Sequence, residues 1–416
     1  MPSEVSVPRV DGGRAWLDMA VGALSMFAVF ATAYSFGTFV KPMAAEFHAD
    51  RRSTALVFGI TAFVYFVLGA LTGPLVHRVG PRAMLLFGGA VQVIGMLATS
   101  RVHALWQAYL TYGIGVGIGV ACGYVPMVAV VGGWFTRRRP LAIGVAVSGI
   151  GVSSLVGAPV AARLIKAHGW RHAYVVFAIA TGVLLLIAAA LVRTPPTFST
   201  RPPIALGDSI RTRTFALSYG SVVLIAIPLF SVFVNLVPYA EDHGLAKVRA
   251  ATLLSVIGAA SVLGRIGLAA LANRFGVAMV YAGSITMMGA TQLIWLWAGS
   301  RFAQLVVFAA IFGIAYGGFI SLSPALLAEL FGPEQLGGLA GVNYSAAGLG
   351  ALLGPTVGAW LVDRTGSYRS TILLGLVSGI LSSVLVVRLA RAAQRAGKRT
   401  TSGDPAAGSR ALDARR

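Results

Sequence analysis

The chain has 416 residues, 57% of them hydrophobic and only 11% charged, too few charges to cover the surface of a soluble fold. A soluble enzyme is excluded. The 33 Lys and Arg against 13 Asp and Glu give +20, but the positive residues fall in loops and tails between apolar runs, where they orient a membrane chain, and no nucleic-acid partner is expected.

Apolar stretches long enough to cross a ~30 Å hydrocarbon core recur along the chain. In chain order they predict helices at 15–40, 54–77, 83–100, 104–131, 140–164 and 172–192, then at 213–239, 248–272, 277–298, 302–329, 337–362 and 369–390. A polar terminus at 1–14 precedes them, and the first run is too long for a cleaved signal. The Pro/Ser/Thr-rich stretch 193–212 reads as a linker between two six-helix bundles, 15–192 and 213–390. The Arg/Ala/Gly/Ser-rich end, 391–416, reads as a disordered basic tail near an anionic lipid surface. With both termini in the cytoplasm, 20 Lys and Arg lie on their side, 12 on the other, and Arg265 lies inside a helix; this excess favours cytoplasmic termini. The single cysteine, Cys122, sits in an apolar run, so neither an internal disulfide nor a Cys-based metal site is possible. No cofactor or metal is expected, and a monomer is the expected functional unit.

An internal repeat separates this chain from other membrane proteins. Arg78, in the loop Gly73 to Arg82, and Arg274, beside Gly276, are 196 residues apart. Phe135, in Trp134-Phe135-Thr-Arg137-Arg138-Arg139, and Phe331, before Glu334, are also 196 apart. The fifth and eleventh helices both carry paired glycines and a Gly/Pro break, Gly149, Gly151, Gly157, Pro159 and Gly348, Gly350, Gly354, Pro355. Two related six-helix halves fit an alternating-access carrier whose site lies between them at mid-membrane. Small residues at these spacings let helix backbones approach closely.

Residues 10–390 resemble the major facilitator superfamily: the Arg78-Val-Gly80-Pro-Arg82 loop is similar to its loop between helices two and three, with His77 where an acidic residue is usual. A narrower resemblance is to the monocarboxylate transporter family and its bacterial oxalate/formate antiporter relatives. Asp11-Gly12-Gly13-Arg14-Ala15-Trp16 resembles that family's D-G-G/S-aromatic-G/A-W signature, and Phe135-Thr-Arg137-Arg138-Arg139-Pro-Leu141-Ala142-Ile-Gly144 its F-x-K/R-R-x-x-L-A-x-G signature. The resemblance implies an all-α membrane protein with twelve transmembrane helices in two pseudo-symmetric halves. Asp11, Gly12, Arg78, Arg137, Arg138 and Glu329 are candidates for a conformational gate, the arginines reaching helix C-terminal carbonyls and acidic residues.

The chemistry reduces to Arg265, deep in the run SVIGAASVLGRIGLAALA. An arginine there costs ~3 kcal/mol on insertion scales, so it faces a polar cavity and marks function. Its planar fork can hold a carboxylate by two charge-assisted hydrogen bonds. Ser261, one turn earlier, shares its face. In animal proton-linked members an aspartate stands where Ser261 is and a lysine where Tyr34 aligns, so a proton relay of that kind is not visible. The antiporter branch has a second cation in helix eleven; here the stretch reads Tyr344-Ser345-Ala346-Ala347. One buried cation matches one carboxylate. Tyr34, Tyr124, Asn235, Tyr316, Asn343 and Tyr344 are candidates to complete the pocket, and Trp106, Trp170 and Trp360 read as interfacial anchors. The expected function is secondary transport of a small monocarboxylate such as lactate, pyruvate or formate, with proton co-movement open; a superfamily exporter or antiporter of drugs or other organic anions is the alternative. An Arg-biased, Ala/Gly-rich composition points to a bacterial inner membrane. A membrane-embedded enzyme would need mid-membrane clusters of His, Asp, Glu or Cys, and none is visible.

Overall fold

The computed structural model describes residues 11–135, 139–196, 207–331 and 336–401. Among these the regular structure is entirely helical. We number the spanning helices α1 Gly13–Ala33, α2 Arg51–Val79, α3 Pro81–Thr99 and α4 Leu105–Trp134. A continuous helical stretch, Arg139–Leu191, breaks at Gly169 (φ 83°) into α5 (139–168) and α6 (170–191). Then follow α7 Arg213–Asp242, α8 Lys247–Phe275, α9 Val277–Ala298, α10 Phe302–Phe331, α11 Leu336–Thr365 and α12 Arg369–Thr401. All twelve expected helices are present, with ends moved by a few residues.

Three details differ from the sequence expectation. The first helix stops at Ala33 rather than 40 and continues as a 3-10 turn, Phe36–Thr38, and a short helix, Val40–Glu46. The last helix runs on to Thr401, so 391–401, expected to be disordered, is helical; its Ala, Arg, Gln and Lys residues are strong helix formers. Residues 402–416 lie outside the described residues. Trp170, expected as an interfacial anchor, is 5% exposed. Its indole donates to Glu46 and the Arg171 guanidinium lies 4.5 Å over its ring.

The repeat seen in the sequence recurs in local geometry. The positive-φ positions His48 and Gly244, and likewise Gly80 and Gly276, are 196 residues apart, and Gly169 and Gly366 are 197 apart. Each falls at the same kind of helix junction. Gly80 and Gly276 have nearly identical angles (φ 86°, ψ 152° and φ 85°, ψ 145°), a conformation that favours glycine because a Cβ would clash.

α8 shows how the sequence divides between lipid and interior. Leu263 and Ile266 are 67% and 62% exposed, while Ser261 and Arg265 on the other face are buried. Apolar side chains face outward and polar ones inward, the reverse of a soluble helix. The halves meet where α2 packs on α11 and α5 on α8. On the second seam Gly151 and Gly258 face each other; a Cβ on Gly258 would lie 2.4 Å from the Gly151 carbonyl oxygen. Backbones at that range gain dispersion contact that larger residues forbid.

The ends of the bundle differ. At the end carrying the loops after odd-numbered helices, Lys41 Nζ meets Asp242 Oδ1 at 2.6 Å and Glu241 Oε2 at 3.4 Å, and Arg51 Nη2 meets Asp242 Oδ2 at 2.8 Å. Tyr368 donates to Asp242 Oδ2 at 2.8 Å, and the Arg52 amide donates to Asp363. These contacts join the two halves. Arg171 also ties Glu46 to the carbonyls of Ser100 and Val102 within the N-terminal half. Burial opposes ionisation of Glu46, but hydrogen bonds from Arg171 and Trp170 prevail and hold its carboxyl below the usual range. At the opposite end the ion pair among described residues, Arg14 with Asp18, lies within one half.

Candidate carboxylate site

Arg265 is brought inward by the crossing of α8 and α10. A methyl on Gly264 would lie 2.1 Å from the Ile314 carbonyl oxygen, and one on Gly317 2.1 Å from that of Ser261. Only glycines permit this approach, which sets Tyr316 beside Arg265. The guanidinium carbon lies 5.8 Å from the Tyr316 ring centroid, within cation–π range.

Arg265 is 3% exposed. Its Nη1 donates to the Val147 carbonyl on α5, across the seam between halves, at 2.5 Å. Nε and Nη2 have no hydrogen-bond partner, and among described residues no carboxylate pairs with the group. A buried guanidinium with two unmatched donors is costly unless an anion satisfies them. Nε and one Nη form an edge that matches the two oxygens of one carboxylate.

Aromatic rings extend from this centre through both halves. The hydroxyls of Tyr316 and Tyr34 are 3.3 Å apart, and Tyr34 stacks on Phe233 at 4.4 Å, which is 5.7 Å from Tyr316. Phe30 links Tyr34 at 5.0 Å with Tyr124 at 5.5 Å, and Tyr124 lies 6.3 Å from Tyr344. Four of the expected pocket residues, Tyr34, Tyr124, Tyr316 and Tyr344, thus belong to one aromatic network adjoining Arg265. Ser261 shares the buried face, but its hydroxyl donates to the Gly258 carbonyl at 2.8 Å.

Asn235 and Asn343 belong to other contacts. Asn235 donates to Ser231 on its own helix and faces Gly358 of α11; Asn343 accepts from Ser218 of α7. Both serve packing of α7 against α11. Phe30, Tyr65 and Phe233 fall outside the sequence expectations, and so does the Val147 carbonyl. Tyr65 is 1% exposed, stands edge-on to Phe30 at 5.7 Å, and its hydroxyl makes no hydrogen bond. Phe30 and Phe233 have no sequence contrast inside their apolar runs; Tyr65 carries the same hydroxyl contrast as the expected tyrosines, and only its packing places it in this network.

The expected gate residues divide. Arg78 and Glu329 are exposed at the even-loop end, and Arg137 and Arg138 lie outside the described residues. Gly12 caps α1, and the Asp11 amide, at φ 59°, donates to the Trp134 carbonyl at 3.0 Å. Trp16 stands edge-on to Phe135 at 5.2 Å, and the Trp134 indole donates to the Arg193 carbonyl. The two signature segments therefore meet at one junction of α1, α4 and the end of α6. Beside it Asp18, 1% exposed, accepts from Arg14 Nε at 3.0 Å and from the Arg193 amide at 2.9 Å, while Arg14 also donates to the Leu191 carbonyl. Asp18→Ala should therefore destabilise the purified protein by about 3 kcal/mol, with Asp18→Asn losing less. A thermal unfolding midpoint equal to that of wild type would contradict this role.

The model of the Major Facilitator Superfamily matches residues 22–277 and 219–413. Monocarboxylate transporter 3 of Rattus norvegicus is 30% identical, with 96% of this chain and 84% of that protein covered. Monocarboxylate transporter 12-B of Danio rerio is 28% identical over 91% of this chain and 88% of its own length, and monocarboxylate transporter 4 of Mus musculus is 28% identical over 93% and 85%. With its twelve helices and, among the described residues, one buried arginine at the seam between halves, the chain belongs to the monocarboxylate transporter family of the major facilitator superfamily, a family of membrane transporters rather than enzymes.

Proposed function

We propose that this protein is a secondary carrier of small monocarboxylates, lactate-, pyruvate- or formate-like, that works by alternating access with Arg265 as the carboxylate anchor. The observation that carries the reading is the buried guanidinium beside Tyr316 whose Nε and Nη2 have no protein partner. A carboxylate would satisfy both. The names of the relatives point to the same substrate class. The crowding of Tyr34, Phe233 and Tyr316 suits a small acid better than a drug or large organic anion.

The excess of Lys and Arg puts the termini and even-numbered loops in the cytoplasm, and composition favours a bacterial inner membrane. On that orientation the conformation described is closed to the outside by Lys41, Arg51, Glu241, Asp242 and Tyr368. Arg78, Arg137, Arg138 and Glu329, with the Asp11–Gly12 junction, form the gate that closes the cytoplasmic side when the site faces outward.

With no carboxylate on Arg265, a co-moving proton travels on the substrate's own carboxyl or on a bound water. Reorientation of the empty carrier leaves Arg265 with only the Val147 carbonyl, so exchange should outpace net flux. Labelled lactate, pyruvate and formate uptake into preloaded and empty proteoliposomes, with and without a pH gradient, tests this. Uptake of at least one acid, several-fold faster into preloaded vesicles, is expected. Transport of bulky organic anions or drugs with no competition from any of these acids would overturn the reading.

A further inference from the structure

Among the described residues, two arginines lie over tyrosine rings, and they differ in one respect. Arg265 lies over Tyr316 with no carboxylate in contact, whereas Arg51 lies 5.4 Å over the Tyr368 ring, donates to the Tyr368 hydroxyl, and is paired with the Asp242 carboxylate. Asp242 is held on both oxygens, Oδ1 by Lys41 and Oδ2 by Arg51 and Tyr368. The donors are those that would recognise a free carboxylate. They are also divided between the halves: Lys41 and Arg51 on the N-terminal half, Glu241, Asp242 and Tyr368 on the C-terminal half.

Separation of the halves at this end takes the carboxylates away from the cations. The N-terminal rim then presents two positive charges without their counter-ions, at the odd-loop end of the interface between the halves. Their side chains are already 30% and 34% exposed in the closed form, so an anion from solution can reach them. We propose that Lys41 and Arg51 form a second carboxylate-binding station at the entrance, where an incoming monocarboxylate replaces Asp242. The station rests on the carrier reading above. Displacement of an internal carboxylate by an external one opens the gate in proportion to substrate, and the freed cations concentrate anions at that end.

A simple latch and a binding station make different forecasts. If these pairs only hold the end shut, Lys41→Gln, Arg51→Gln and Asp242→Asn each weaken the same contact and shift external KM in the same direction. If the cations also receive the substrate, the signs are opposite. Lys41→Gln and Arg51→Gln should raise the external KM about 10-fold with less than about threefold change in kcat, and reduce its dependence on ionic strength. Asp242→Asn should lower the external KM, because it frees the cations without removing them.

Opening can be read without transport. In a Cys122→Ala background, Val40→Cys places a thiol at a buried position beside Lys41, and its rate of labelling by an impermeant maleimide reports opening. Lactate should accelerate labelling in this background and with Asp242→Asn, but not with Lys41→Gln or Arg51→Gln. KM shifts of one sign in all three variants, or labelling indifferent to lactate with Lys41 and Arg51 intact, would overturn the station. Lactate-accelerated labelling that persists alongside normal transport in Arg265→Ala would instead overturn the central anchor and leave the station standing.

Discussion

Arg265→Ala and Arg265→Lys should each reduce monocarboxylate uptake by about 100-fold or more, with protein yield largely unchanged. Removing one member of a desolvated charge pair costs about 2–5 kcal/mol of binding, and 1.4 kcal/mol is tenfold. Alanine removes the charge. Lysine keeps it but cannot both bond the Val147 carbonyl and present two parallel donors to a carboxylate. Yield should hold because the guanidinium contributes to the fold one hydrogen bond, to the Val147 carbonyl, and a contact with the Tyr316 ring, with Nε and Nη2 unpartnered. Counterflow in proteoliposomes is the measurement, and near-normal rates in both variants would remove the basis for calling Arg265 the anchor.

The second large effect is expected in folding. Gly264→Val should abolish recovery of folded, monodisperse protein, because even the first atom of the side chain would meet the Ile314 carbonyl oxygen at 2.1 Å and its neighbouring backbone atoms at 2.7 and 2.8 Å. Backbone cannot yield there without parting α8 from α10. Gly267, one turn further along α8, has open space around it, with nothing within 4 Å of where a methyl would stand, and Gly267→Ala should be neutral or stabilise by up to about 1 kcal/mol through helix propensity. Size-exclusion profiles and unfolding midpoints of the pair decide it. Equal behaviour of the two variants would show that the crossing is softer than its geometry implies.

Helix number and position were legible because each helix needs about twenty apolar residues and loops need charge, a contrast that survives without any tertiary information. Arg265 was legible for the same reason, as a charge in an apolar run. Tyr34, Tyr124, Tyr316 and Tyr344 could be found because a hydroxyl in such a run is also a contrast. Equal contrast also occurs in a different setting: Asn235 and Asn343 stand out as clearly as the tyrosines, yet their hydrogen-bond partners are Ser231 and Ser218, away from the aromatic network. Sequence marks a polar side chain and says nothing about the side of the helix its neighbours occupy. The inter-half ion pairs were hidden for a further reason, since Lys41 and Asp242 are 201 residues apart and each reads alone as an ordinary residue at a helix end.

The Gly151–Gly258 contact bears on which way the carrier rests. Gly151 is the thirteenth of the 30 residues of α5 and Gly258 the twelfth of the 29 in α8, so the crossing divides both helices in nearly the same ratio. The two helices run antiparallel, so at each end the short arm of one lies beside the long arm of the other, and parting either end moves one arm of each kind. The elastic cost is even-handed, and such a joint supplies no preference of its own. The resting bias must then come from what the rims hold, which makes the balance between the two facings adjustable by single surface charges without touching the substrate site.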